Sequence, residues 1–66
     1  MIRHYYFIEE ETGEEFIVGA ENLSTAHAIA LDVAADIASY YNVVPELSYE
    51  YEMTEEEAES SGLDEY

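Results

Sequence analysis

The chain has 66 residues, with 17 Asp or Glu against a single Arg, no Lys and no Cys, for a net charge of −16. That balance excludes direct binding to nucleic acid or anionic lipid, both of which need a basic surface, and it excludes disulfides and thiolate metal sites. A hydrophobic share of 48%, with seven Tyr and two Phe, separates the chain from disordered acidic tails, which are poor in aromatics.

The first element predicted is a strand over residues 2–10, Ile-Arg-His-Tyr-Tyr-Phe-Ile-Glu-Glu, rich in aromatic and β-branched residues. Glu11-Thr12-Gly13-Glu14 supplies turn chemistry, with Gly13 free to take positive φ. A second strand over residues 15–20, Glu-Phe-Ile-Val-Gly-Ala, completes an antiparallel hairpin.

Ser24 or Asn22 can cap the helix that follows, and the Ala-rich stretch from Thr25 to Tyr41 favours helix. Ala26, Ile29, Ala30, Val33, Ile37 and Tyr40 recur at helical spacing and form the expected core face. His27, Leu31, Ala34 and Ala38 widen the apolar side beyond what a surface helix needs, which makes them a candidate dimer interface. Asn42 can end the helix, and Pro45 prevents its continuation.

Residues 47–53 alternate, with Leu47, Tyr49, Tyr51 and Met53 expected on one face of a strand and Ser48, Glu50 and Glu52 on the other. Thr54 with Glu57 three residues on is a capping box, so a short helix is expected over 55–60, stopping at Gly62. Asp64-Glu65-Tyr66 reads as a tail. The order is β-β-α-β-α. The expected fold is a single α+β domain: a three-stranded antiparallel sheet with the long helix on one face and a short C-terminal helix.

Catalytic chemistry finds little support. His4 lies in a strand and His27 in the first turn of the helix, and no nucleophile motif accompanies either. The spacing of an EF-hand is absent, so no dedicated metal site is expected and no cofactor is implied. No run approaches the ~20 apolar residues of a membrane span, and the first residues lack the apolar region and cleavage site of a signal peptide. A cytoplasmic, non-enzymatic protein is the expectation.

The acidity itself is then the feature to explain. A chain of this length has an expected radius of gyration of about 11 Å and a diameter of roughly 28 Å. Duplex DNA carries one charge per ~1.7 Å of axis, hence about 16 over that length, equal to the −16 of this chain. Glu50 and Glu52 are expected side by side about 6.6 Å apart on one strand face. Glu55, Glu56 and Glu59 continue on the next helix, where such spacings make neighbours. Glu9, Glu10, Glu11, Glu14 and Glu15 cluster at the hairpin tip. If the tip and the closing segment share an edge, the carboxylates form a row resembling a phosphate backbone, suited to a Lys- and Arg-lined groove. Two other readings compete: a small acidic interaction or homodimer module whose charge serves solubility, and halophilic acidity, to which the absence of Lys conforms.

The closing segment Met53-Thr54-Glu55-Glu56-Glu57-Ala58-Glu59-Ser60-Ser61-Gly62-Leu63-Asp64-Glu65-Tyr66 resembles the ends of small acidic proteins of phages and integrated mobile elements. The hairpin start, Tyr5-Tyr6-Phe7-Ile8 ahead of Glu11-Thr12-Gly13-Glu14, is similar in kind. In size and charge the chain is similar to the anti-CRISPR and anti-restriction inhibitors of phages that act as DNA mimics. That resemblance implies inhibition of a basic nucleic-acid-binding protein in the host cell. It carries no functional residue over, because no diagnostic motif accompanies it. Glu50, Glu52, Glu55, Glu56 and Glu59 are the preferred contact residues, with the hairpin-tip carboxylates second.

Overall fold

The computed structural model describes residues 1–66 and has the order expected: β1 (Arg3–Glu9), β2 (Glu14–Ala20), α1 (Leu23–Tyr41), β3 (Leu47–Met53) and α2 (Glu55–Ser60). The three strands form one antiparallel sheet in the order β2-β1-β3. The fold is α+β, and no helix is long and apolar enough to cross a membrane. The radius of gyration is 11.2 Å.

Local chemistry accounts for each boundary. Gly13 closes the hairpin at φ 77, where a side chain would be strained. Of the two possible caps for α1, Asn22 is the one used: its side chain accepts from the Thr25 amide at 2.8 Å. Asn42 ends α1 in the left-handed conformation, φ 56 and ψ 46, and the Val43 amide donates to the Ala38 carbonyl. At α2 both halves of the capping box form. The Glu57 amide donates to Thr54 Oγ1 at 3.1 Å, and the Thr54 amide donates to the Glu57 carboxylate at 2.9 Å.

The main core joins Tyr5 and Phe7 of β1, Phe16, Val18 and Ala20 of β2, and Ala26, Ala30 and Val33 of α1. Two expectations about α1 fail here, for one reason. Ile29 and Tyr40 were expected inside, yet Ile29 is exposed and Tyr40 is 84% exposed. Ala34 and Ala38, expected to be free for a second copy, are each 1% exposed and lie within the protein's own core. The ridge that meets the sheet is Ala26-Ala30-Ala34-Ala38, four small residues at i+4 spacing. The sheet supplies the volume through Tyr5, Phe7 and Phe16, so small side chains on the helix fill the remaining space at native density. Of the candidate dimer interface, only His27 and Leu31 remain exposed, and the His27 ring leans on Phe7 at 6.3 Å. Pairing two copies there would also bring −16 against −16.

A smaller core on the opposite sheet face holds Ile17, Met53 and Ala58, with Tyr6 and Leu63 packed against it. This is how α2 is anchored. Residues 64–66, expected as a tail, instead run beside β2. The Ile17 amide donates to the Asp64 carbonyl, the Tyr66 amide to the Ile17 carbonyl, and the Gly19 amide to the Tyr66 carbonyl, at 2.9, 2.8 and 2.9 Å. The outer edge of β2 is therefore paired, while that of β3 is open.

Gly19 makes room for this strap. A Cβ there would stand 2.8 Å from Glu65 Oε2 and 3.2 Å from Ile2 Cγ2. The same Glu65 oxygen lies 2.7 Å from His4 Nδ1, across the strand pair from Gly19. Gly19→Ala is therefore expected to displace the Glu65 carboxylate and loosen the strap while the sheet stays formed. Loss of about 1 kcal/mol of local stability makes amide exchange at Ile17 and Tyr66 roughly tenfold faster. Unchanged exchange at those two amides would show that the strap holds without the His4 contact.

Candidate partner-binding surface

β3 is the strand on which the acidic surface depends, and its register is broken. Tyr6 pairs with Tyr51 but Phe7 pairs with Tyr49, so Glu50 is an extra residue in a β-bulge. The expected alternation therefore holds only in two halves. Leu47 and Tyr49 share the α1 face with Phe7, whereas Tyr51 and Met53 share the opposite face with Tyr6 and His4. The bulge also separates Glu50 from Glu52, which were expected on one face. Glu50 accepts from the Ser48 hydroxyl at 2.7 Å on the face of Tyr6. Glu52 pairs with Tyr5 on the α1 face and lies 3.6 Å from Arg3 Nε, the only basic side chain of the protein besides histidine. The two carboxylates straddle the open edge instead of lining one side of it.

The hairpin-tip carboxylates also divide. Glu9 is fully buried, which removes it from any contact surface. Its Oε2 accepts from the amides of Glu46 at 2.8 Å and Glu11 at 3.2 Å; Oε1 accepts from the Thr12 amide at 2.9 Å and the Thr12 hydroxyl at 2.7 Å. Burial pushes this carboxyl up. The bonds from Glu46, Thr12 and Glu11 outweigh it and hold Glu9 below its ordinary range. Glu9 is thus a structural anion joining the tip to the loop before β3. A signal for this existed in the sequence: Tyr5, Phe7 and Glu9 form one inward row of a strand, with Thr12 placed to supply donors.

Glu10 and Glu11 lie beside the start of β3, because the Glu10 amide donates to the Glu46 carbonyl at 2.8 Å. Glu14 and Glu15 stand on β2, the width of β1 away. Each is engaged by a tyrosine. The Tyr6 hydroxyl donates to Glu15 in a very short bond, and the Tyr41 hydroxyl donates to Glu14 at 3.3 Å. The bond to Glu15, with burial and neighbouring charge, pushes the Tyr6 phenol up to about 12. Tyr41 is raised by the charge of Glu14, and Tyr49 by burial and then by Glu52. These phenols stay protonated at neutral pH and act as donors.

Glu55, Glu56 and Glu59 are all exposed on α2, which follows β3 directly. The exposed carboxylates therefore run from Glu10, Glu11 and Glu46 at one end of the β3 edge, through Glu50 and Glu52, to Glu55 and Glu56 at the other. At ~3.3 Å per residue the strand itself covers about 20 Å of that run. Glu46 belongs to this row although sequence reasoning passed over it; its place immediately before the strand was the available signal. Sixteen of the seventeen acidic residues are exposed, Glu9 being the exception.

Nothing in this arrangement resembles a catalytic or metal centre. No group of three or more His, Cys, Asp or Glu is placed to hold an ion, and the one buried carboxylate has its acceptors occupied. Comparison with protein-family models, curated proteins and solved structures finds no match.

Proposed function

We propose that this protein is a non-enzymatic DNA mimic that occupies the basic nucleic-acid-binding groove of a host defence or DNA-processing protein. The observation that carries this reading is the exposed acidic run along the open β3 edge, with one Arg to offset it. The protein measures 34 × 23 × 15 Å. A duplex of the same length as the long axis carries about 20 phosphate charges at one per ~1.7 Å, close to the 16 net charges here. Because Glu50 and Glu52 straddle the edge, the charges are presented to both sides of it, as the two strands of a duplex present theirs.

A rigid scaffold supports the same reading. Carboxylates fixed on a strand, a capped helix and a closed hairpin lose little freedom on binding, so more of the electrostatic attraction appears as affinity. The field also accelerates encounter with a basic groove and makes binding strongly salt-dependent.

The test is affinity capture from a bacterial lysate, repeated with excess duplex DNA. A mimic's partner is itself a nucleic-acid-binding protein, is displaced by the duplex and is released steeply as salt rises. Partners that bind equally well with and without duplex would overturn the reading in favour of an interaction module whose acidity serves solubility.

A further inference from the structure

The end of α1 carries a second feature, built of different chemistry. A cleft of about 340 Å³ is lined by Glu14, Asp36, Ile37, Tyr40 and Tyr41. Two aromatic rings stand perpendicular in its wall, Tyr40 and Tyr41, with centroids 5.1 Å apart. Tyr40 is 84% exposed and Tyr41 51%, although neighbouring residues of the same helix are packed into the core. Tyrosine left this open at the end of a well-capped helix gains nothing from burial in the free protein.

The electrostatics of the cleft all have one sign. Glu14 and Asp36 bring two carboxylates, and Asp36 makes no ion pair. The last turn of α1 contains no basic residue, so the negative end of the helix dipole is left uncompensated there. The Tyr41 hydroxyl donates to Glu14, which fixes that carboxylate beside the ring. An aromatic face next to carboxylate acceptors matches a flat cation that stacks and donates several hydrogen bonds at once, which describes guanidinium and not ammonium.

We infer that the cleft formed by Glu14, Asp36, Tyr40 and Tyr41 is a socket for an arginine side chain of the protein partner. This rests on the proposal that the partner is basic, and adds a point anchor to the diffuse attraction of the β3 edge. The guanidinium plane lies on the Tyr40 ring and its N–H groups donate to Asp36 and to the free oxygen of Glu14. An arginine held this way supplies the geometric specificity that an exposed row of carboxylates lacks.

The direct probe is acetyl-arginine amide, titrated into the full chain and followed by NMR of the tyrosine rings and isoleucine methyls. Expected are saturable shifts at Tyr40, Tyr41 and Ile37 with a Kd on the order of 1–10 mM. Acetyl-lysine amide should bind several-fold more weakly, and Tyr40→Leu and Asp36→Asn, both at exposed positions, should abolish the response while leaving the rest of the spectrum unchanged. Shifts spread evenly over the carboxylate-bearing segments, or equal responses to lysine and arginine, would overturn the socket. With a captured partner the two ideas separate. Full binding by the Tyr40→Leu/Asp36→Asn variant alongside lost binding on reversal of Glu50 and Glu52 refutes the socket and leaves the basic-partner reading standing.

Discussion

Reversal of Glu50 and Glu52 to Lys together is expected to weaken partner binding by roughly 100- to 1000-fold at low salt, without unfolding the protein. Two attractive contacts become two repulsive ones, and like charges brought together at an interface cost several kcal/mol. Both residues are exposed, so the core is untouched. The only native contact of note that is lost is the partly exposed Arg3–Glu52 pair, which contributes at most about 1 kcal/mol. The salt dependence of the remaining binding should also flatten, since fewer charges meet the groove. The bulge makes the single variants informative in their own right. Glu50→Lys probes the sheet face that carries Tyr6, and Glu52→Lys probes the face that carries α1. Asp32→Lys, on exposed α1 surface, is the control and should bind nearly as well as the parent. Undiminished binding by the Glu50→Lys/Glu52→Lys protein would remove the β3 edge from the interface.

Glu9→Gln is expected to have the largest effect on stability of any exchange among the acidic residues, a loss of about 2–4 kcal/mol. The carboxamide retains one acceptor oxygen and turns an NH2 group toward donors that the second carboxylate oxygen now satisfies. A chain of this size has only about 3–10 kcal/mol to lose, and at about 4–8 °C per kcal/mol the melting temperature should fall by at least ~10 °C. Acid should act through the same group. The folded protein holds Glu9 below its ordinary value, so its contribution is complete above the unfolded-state value near ~4.3. It is lost as pH falls through the lower folded-state value. An acid titration of the melting temperature should therefore show a component in the parent that is missing in the Gln variant. A Gln variant melting within ~2 °C of the parent would mean that the four donors are satisfied in some other way.

The two predictions rest on glutamates that look alike in the sequence, and the contrast shows what patterning can and does not convey. Local rules located the elements well, because their signals are local: the capping box at Thr54 and Glu57, Asn42 as a left-handed cap, Gly13 in the turn, and the limits of β3. What patterning missed depends on partners distant along the chain. The bulge at Glu50 comes with no glycine or proline to announce it, and arises from pairing with β1. The inward ridge of α1 is set by the bulk of Tyr5, Phe7 and Phe16 on the sheet, so hydrophobicity alone favoured the larger Ile29 and Tyr40 over Ala34 and Ala38. The docking of residues 64–66 on β2 left one trace, the glycine at position 19 that gives Glu65 its space. The exposure of the acidic residues was legible from their number, since a thin core has no room for many; which one would be buried was a matter of strand parity.

The docked segment on β2 has a consequence for how molecules of this protein can associate. A sheet with two open edges can add copies at both and grow into a filament. Here one edge is sealed by residues 64–66, so strand pairing between molecules is confined to β3 meeting β3. That contact is isologous and stops at two copies, and the glutamates flanking it repel. Aromatic strands such as Leu47–Met53 are ordinarily aggregation-prone when left at an edge. In this protein the geometry withholds the second growth point that a fibre requires, and the charge guards the first.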